Sequence, residues 1–208
     1  MNKKLVKYIV LIVVAGLLVY NSVYFKKLDA PTSGVENNNT DPAAFARSFW
    51  NGAFSKAIDS ATTIEVFEKE FFEKGAAITI SKYSHSQGVS NIADVLLKFS
   101  GRVKEITEDK IVLTVANSRT NSYVFNMGNY FGNGVRDATG LIKMGDFINT
   151  MDYNMVSTEL NKIVKKDVVL AVKNKIKAGD DLIVVGCVEI KEGKLEDEIL
   201  PVKITINN

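Results

Sequence analysis

A chain of 208 residues, 46% hydrophobic and 24% charged, holds enough apolar material for one folded domain with a short appendage, which excludes a disordered chain and leaves no room for two full domains. Its formal charge of +2 gathers at the N-terminus, where Lys3, Lys4, Lys7, Lys26 and Lys27 precede any acidic residue, so the body from Leu28 carries 21 basic residues against 24 acidic ones. That balance excludes a phosphate-binding surface of the kind nucleic acid requires; a single cysteine, Cys187, excludes an internal disulfide, and a single histidine, His85, excludes an ordinary zinc site.

Residues 8–25 carry no charge, and with Leu5 and Val6 the apolar stretch over 5–25 approaches the roughly 20 residues that span a hydrocarbon core. The sequence predicts an uncleaved N-terminal transmembrane helix over 1–28: it has no small-residue cleavage site at its end and no cysteine to accept lipid. Three lysines before the stretch against two after it predict a cytoplasmic N-terminus and an extracytoplasmic body, with the inner membrane as a partner. Residues 29–40, with Pro31, Gly34 and three consecutive asparagines, read as a linker, and 41–208 as a single extracytoplasmic α+β domain.

Asp41 followed by Pro42 marks a helix start, and Phe45, Phe49, Ala53 and Ala57, joined by Trp50, Phe54 and Ile58, predict one apolar helical face. A second packing helix is predicted from Thr62, with Glu65 as its capping-box partner, through Ile64, Phe67 and Phe71 to a stop at Gly75. The run from Ala76 to Ile80 fits a helix or a strand, and His85 beyond it reads as a loop residue.

From Ala93 the pattern turns to strands. Val95, Leu97 and Phe99 alternate, Gly101 marks a bend or bulge, and Ile111, Leu113 and Val115, then Tyr123, Phe125 and Met127, complete an antiparallel meander. The glycine-rich connection that follows surrounds Gly132, Arg136 and Asp137 before Asp146, expected to cap a helix containing Val156, Leu160, Ile163 and Val164. Strands resume over 182–190, where Cys187 reads as a buried small hydrophobe, and at Val202, Ile204 and Ile206, with Pro201 suiting the start of an edge strand. The order predicts a five-stranded antiparallel, partly open barrel of the OB kind, with a helix inserted between its third and fourth strands. A twisted α+β sheet with two helices at one end is the alternative.

Trp50, Lys82-Tyr83-Ser84, Gly101-Arg102-Val103, Gly132 through Arg136-Asp137-Ala138, Asp146-Phe147-Ile148-Asn149, Leu160-Asn161 and Pro201-Val202 together resemble the pattern of a bacterial domain-of-unknown-function family of periplasmic lipoproteins. Ser84 and Thr150 stand where that family has glycine and glutamine, and its lipid-accepting cysteine is missing. The resemblance implies an accessory role beside sugar ABC transport, with a transporter component or a small sugar as partner.

Gly132, Arg136, Asp137, Asp146, Asn149 and Asn161 are the candidate binding or structural residues. Arg136 offers a fork for a carboxylate or phosphate and Asp137 an acceptor for sugar hydroxyls, while the same two side chains also suit an internal tie. The expected function is a membrane-anchored extracytoplasmic binding or accessory protein with no catalytic residue, metal or cofactor. One alternative is a hydrolase using Asp137 with Asp146 or His85. Another is an OB-type binder of an extended ligand, stacking it on Tyr123, Phe125, Tyr130 and Phe131. GNYFGNG lacks the Lys-Ser ending of a P-loop, which counts against nucleotide binding.

Overall fold

Asp41 begins the folded body as its sequence predicts: its carboxylate accepts from the Ala43 amide at 3.0 Å, and Pro42 opens helix α1 (Pro42–Phe49). The computed structural model describes residues 41–84, 92–128 and 130–207, together with Tyr8. Contacts divide the chain into two units, 1–39 and 40–208. The expected span over 5–25 lies outside the described residues, Tyr8 aside, as does the expected linker over 29–40. Among the described residues no helix is long and apolar enough to cross a membrane, so the expected transmembrane helix is not part of the observed fold.

Helix α1 does not end at Phe49 but widens into a π-helical stretch (Trp50–Phe54) before a last α turn, α2 (Ser55–Asp59). The wider turn rotates the apolar stripe. Phe49, Phe54 and Ile58 are therefore buried while Ala53, expected on that face, is exposed. The second helix, α3 (Ile64–Lys74), starts two residues later than expected, because Thr62 and Thr63 form a short strand β1 paired parallel with Leu97 and Lys98. Gly75, at φ 89°, ends α3 and leads directly into α4 (Ala76–Tyr83), which settles the ambiguous run as helix; His85 lies outside the described residues.

The barrel is organised by one long strand. β2 (Ile92–Ile106) pairs antiparallel with β5 (Asp181–Lys191) over residues 92–102, then with β3 (Lys110–Thr114) over residues 102–106. Gly101 sits at the switch, where a Cβ would stand 2.7 Å from the Thr114 carbonyl oxygen, so only glycine lets β3 approach. β3 continues antiparallel to β4 (Ser122–Asn126), and β5 turns through Glu192 and Gly193, both at positive φ, into β6 (Lys194–Asn207). β6 then lies parallel to β4 at Val124↔Glu198 and Phe125↔Ile199, which closes the ring β2–β3–β4–β6–β5.

The sheet thus has six strands and is mixed, where the alternating patterns predicted five antiparallel ones. The physical reason is the crossover: β6 reaches β4 only after the long connection and β5, and parallel partners separated this way leave no turn signal in the sequence. Pro201 likewise lies within β6 rather than at its start, opposite Gly186 where the register shifts. Leu97, Phe99, Ile111, Leu113, Tyr123, Phe125, Leu182 and Val184 make the buried core. The inserted helix α6 (Thr150–Ile163) falls between β4 and β5, as expected, and continues through a second π-helical stretch (Val164–Val169) into α7 (Leu170–Val172). α6 packs against α1, and Arg47 of α1 is ion-paired with Asp167 of the π-helical stretch.

One buried carboxylate ties α3 to the barrel. Glu68, 3% exposed, accepts from Ser118 Oγ at 2.8 Å, the Arg119 amide at 2.7 Å and Tyr123 Oη at 2.9 Å. Burial raises the Tyr123 phenol to about 12. Removing the carboxylate leaves several buried donors unpaired at once. Glu68→Ala is expected to lower stability by about 2–4 kcal/mol, read as a shift of the urea midpoint; an unchanged midpoint contradicts the tie.

Candidate functional site

The glycine-rich connection leaves β4 through a local tie: Asn126 Oδ1 accepts from the Gly128 amide at 2.8 Å, and Tyr130 Oη donates to the Asn126 carbonyl. Gly132, at φ 85°, takes the left-handed conformation that lets the chain double back. A single helical turn, α5 (Gly134–Asp137), then packs on β2, β5 and β6. Gly134 comes close to Asp94 here, since a Cβ at that position would stand 3.0 Å from Asp94 Oδ1.

Arg136 is 4% exposed and its donors are used inside the protein. Nε and Nη2 donate to the two carboxylate oxygens of Asp137 at 2.6 and 2.9 Å, and Nη1 reaches the Tyr153 carbonyl at 3.4 Å and Asn154 Oδ1 at 3.3 Å. The guanidinium carbon lies 3.6 Å from the centre of the Tyr153 ring, whose hydroxyl donates to Asp137 Oδ1 at 3.3 Å. The pair therefore bolts α5 to α6. Asn161 adds to the bolt by donating from Nδ2 to the Gly132 carbonyl at 3.0 Å.

Of the six sequence-predicted residues, Gly132, Arg136, Asp137 and Asn161 converge on this bolt, and Asp146 and Asn149 do not. Asp146 accepts from the Lys143 amide at 2.9 Å in an exposed 3-10 turn, and the cap expected of it on α6 is made instead by Asn149, which accepts from the Asp152 amide at 2.8 Å. Sequence spacing alone does not separate these neighbouring cap candidates. Tyr123 and Phe125, offered as stacking aromatics, are fully buried.

Two cavities flank Tyr130 and Phe131. One, of about 540 Å³, lies against α6 and is lined by residues including Gly132, Asn133, Ser157 and Asn161; Ser157 Oγ and Asn161 Oδ1 are buried without hydrogen-bond partners among the described residues. The other, of about 430 Å³, lies between the connection and the outer face of the barrel, where Asp94, Asn126, Glu189, Glu196 and Glu198 present acceptors beside Tyr130 and Phe131.

Asp94 is the residue that sequence reasoning missed. It stands on the side of β2 opposite Val95, Leu97 and Phe99, where the alternation predicts solvent, yet it is only 8% exposed. Its carboxyl forms no hydrogen bond or ion pair among the described residues, and Glu189 sits directly across from it in the β2–β5 register. Burial first, then the charges of Glu189 and Asp137, push it up to about 7, with Arg136 opposing. Only the pairing of two strands far apart in sequence brings these two carboxylates face to face. Burial and the nearby Asp94 also raise the Cys187 thiol well above its ordinary range, which makes it a poor nucleophile.

The closed mixed barrel with its inserted helix defines a protein of the OB class, and it is similar to a crystal structure described as an OB-fold protein from Thermotoga maritima MSB8. That chain is 27% identical at a TM-score of 0.67, the match covering 80% of this chain and 98% of the other. The chain belongs to the family described as "Predicted periplasmic lipoprotein (DUF2291)", whose model matches residues 13–205. No curated protein matches it.

The raised Asp94 has a consequence for stability. Between the ordinary carboxyl value of 3.8 and about 7 the folded state holds a proton that the unfolded state has lost, so stability falls as pH rises through this window and levels off above it. Asp94→Asn removes the charge and keeps the shape. The variant is expected to match the wild type near pH 4 and to exceed it by roughly 2–4 kcal/mol at pH 8, measured by denaturant unfolding across pH. Parallel curves contradict the burial of this charge.

Proposed function

We propose that this protein is an extracytoplasmic binding module rather than an enzyme, held at the inner membrane by its apolar N-terminal residues 5–25, that serves as an accessory to ABC transport. Its ligand is a small polar molecule seated in the cavity over Asp94. The observation that carries the reading is Asp94 itself, a mostly buried carboxylate with no hydrogen bond or ion pair among the described residues, on the wall of a cavity of about 430 Å³, a size that suits a small ligand. A structural carboxylate of this burial is ordinarily satisfied by the protein, as Glu68 is.

Family membership supports the location, and the apolar N-terminal stretch over 5–25 offers a means of attachment. The bolt supports the division of labour. Arg136 spends four of its five donors on Asp137, Tyr153 and Asn154 and is buried, and Asp137 has both oxygens engaged, so both are committed to the bolt. The resemblance to lipoproteins of sugar-transport operons supports a sugar-like ligand, since a sugar brings hydroxyl donors to a wall on which acceptors predominate.

The test is native mass spectrometry of the full-length protein released from membranes into mild detergent. A small-molecule adduct is expected on the wild type and is expected to be lost in Asp94→Lys, which fills the cavity and pairs the charge. No adduct, together with no stabilisation by any of a panel of sugars and amines, contradicts the proposal.

A further inference from the structure

We infer that the ligand of the cavity over Asp94 carries a primary ammonium group, which docks between Asp94 and Glu189; this rests on the reading of that cavity as the binding site. The cavity wall is charged in one sense. Asp94, Glu189, Glu196 and Glu198 contribute four carboxylates against the single ammonium of Lys191, and no ion pair joins Lys191 to any of them among the described residues.

Like charges placed directly opposite on neighbouring strands are unfavourable, and here one of the two is also desolvated. A hydroxyl satisfies a hydrogen bond at this spot and leaves the repulsion in place. An ammonium supplies up to three donors and cancels the charge. The neighbouring protein cation cannot do so, because Arg136 is bound to Asp137. A bare metal ion is a poorer fit, since among the described residues no three His, Cys, Asp or Glu side chains are grouped to hold one.

The rest of the wall suits the same group. Phe131 is 83% exposed and lines the cavity with the carboxylates, next to Tyr130, whose ring packs partly on the core and whose hydroxyl is engaged by the Asn126 carbonyl. Aromatic faces next to carboxylates attract ammonium groups. An exposed phenylalanine at the mouth of a charged cavity otherwise has no packing role. The groups that bear on Asp94 are Glu189, Asp137 and Arg136, together with the Cys187 thiol, so the local balance stays negative until a cation enters.

The experiment is isothermal titration of the full-length protein in detergent, at pH 7.5 and constant ionic strength, with glucosamine, putrescine and methylammonium against glucose and sodium chloride. At least one amine is expected to bind saturably and at least 10-fold more tightly than glucose, and to lose at least 10-fold in affinity in both Asp94→Asn and Glu189→Gln while those variants melt no lower than the wild type. Phe131→Ala is expected to weaken amine binding without changing the fold. If glucose binds as tightly as glucosamine and Asp94→Asn weakens both, the ammonium inference fails and the binding site stands. If no probe binds, or binding ignores Asp94→Asn and Glu189→Gln, the site itself is overturned.

Discussion

The constraint on which this site rests is the burial of the Arg136 guanidinium. An arginine cannot shed its charge, so one that is 4% exposed must have its donors taken up and a counter-charge at hand. Asp137, the Tyr153 carbonyl and Asn154 meet that demand, and the Tyr153 ring covers the plane. Because Tyr153 and Asn154 lie on α6 while Arg136 and Asp137 lie on α5, the glycine-rich connection is fixed between the helix and the barrel. Its α5 turn packs over β2, β5 and β6, and that placement shields Asp94 from water.

Barrel geometry sets the other half. β2 pairs first with β5 and then with β3, and Gly101 allows the change of partner because it brings no side chain against the Thr114 carbonyl. The same strand register places Asp94 across from Glu189. Closure through the parallel β4–β6 pair brings Glu198 to the rim from a third strand. The barrel interior is filled by Phe99, Tyr123 and Phe125, and the cavity over Asp94 is built outside it, by the connection. An OB-type barrel hosts many unrelated functions, and the chemistry of this one is carried by that external wall.

Much of the fold was legible because it depends on local chemistry. Asp41-Pro42 starts a helix, Gly75 ends one, and the alternations at Val95 to Phe99 and Ile111 to Val115 mark buried faces, all of which the structure contains, while the irregularity expected at Gly101 falls between Val103 and Glu105. What escaped is what depends on partners remote in sequence. The π-helical turn at Trp50 to Phe54 displaced the apolar stripe, Thr62 was drawn into a parallel pairing with β2, and the crossover made the sheet mixed. In the candidate site the Arg136-Asp137 pair was visible as a charged dipeptide among glycines. Asp94 was not, since a lone aspartate on the polar side of an alternating strand looks solvated until the connection covers it.

The central claim is that Arg136 and Asp137 form the bolt and leave recognition to Asp94. It is tested most directly by a double-mutant cycle on Arg136→Ala and Asp137→Ala, followed by denaturant unfolding. Each single variant leaves a buried charge without its partner and is predicted to lose about 3–5 kcal/mol, with the double variant losing clearly less than the sum of the two. Additive losses, or single variants as stable as the wild type, would contradict the account and return Arg136 to the role of a ligand clasp.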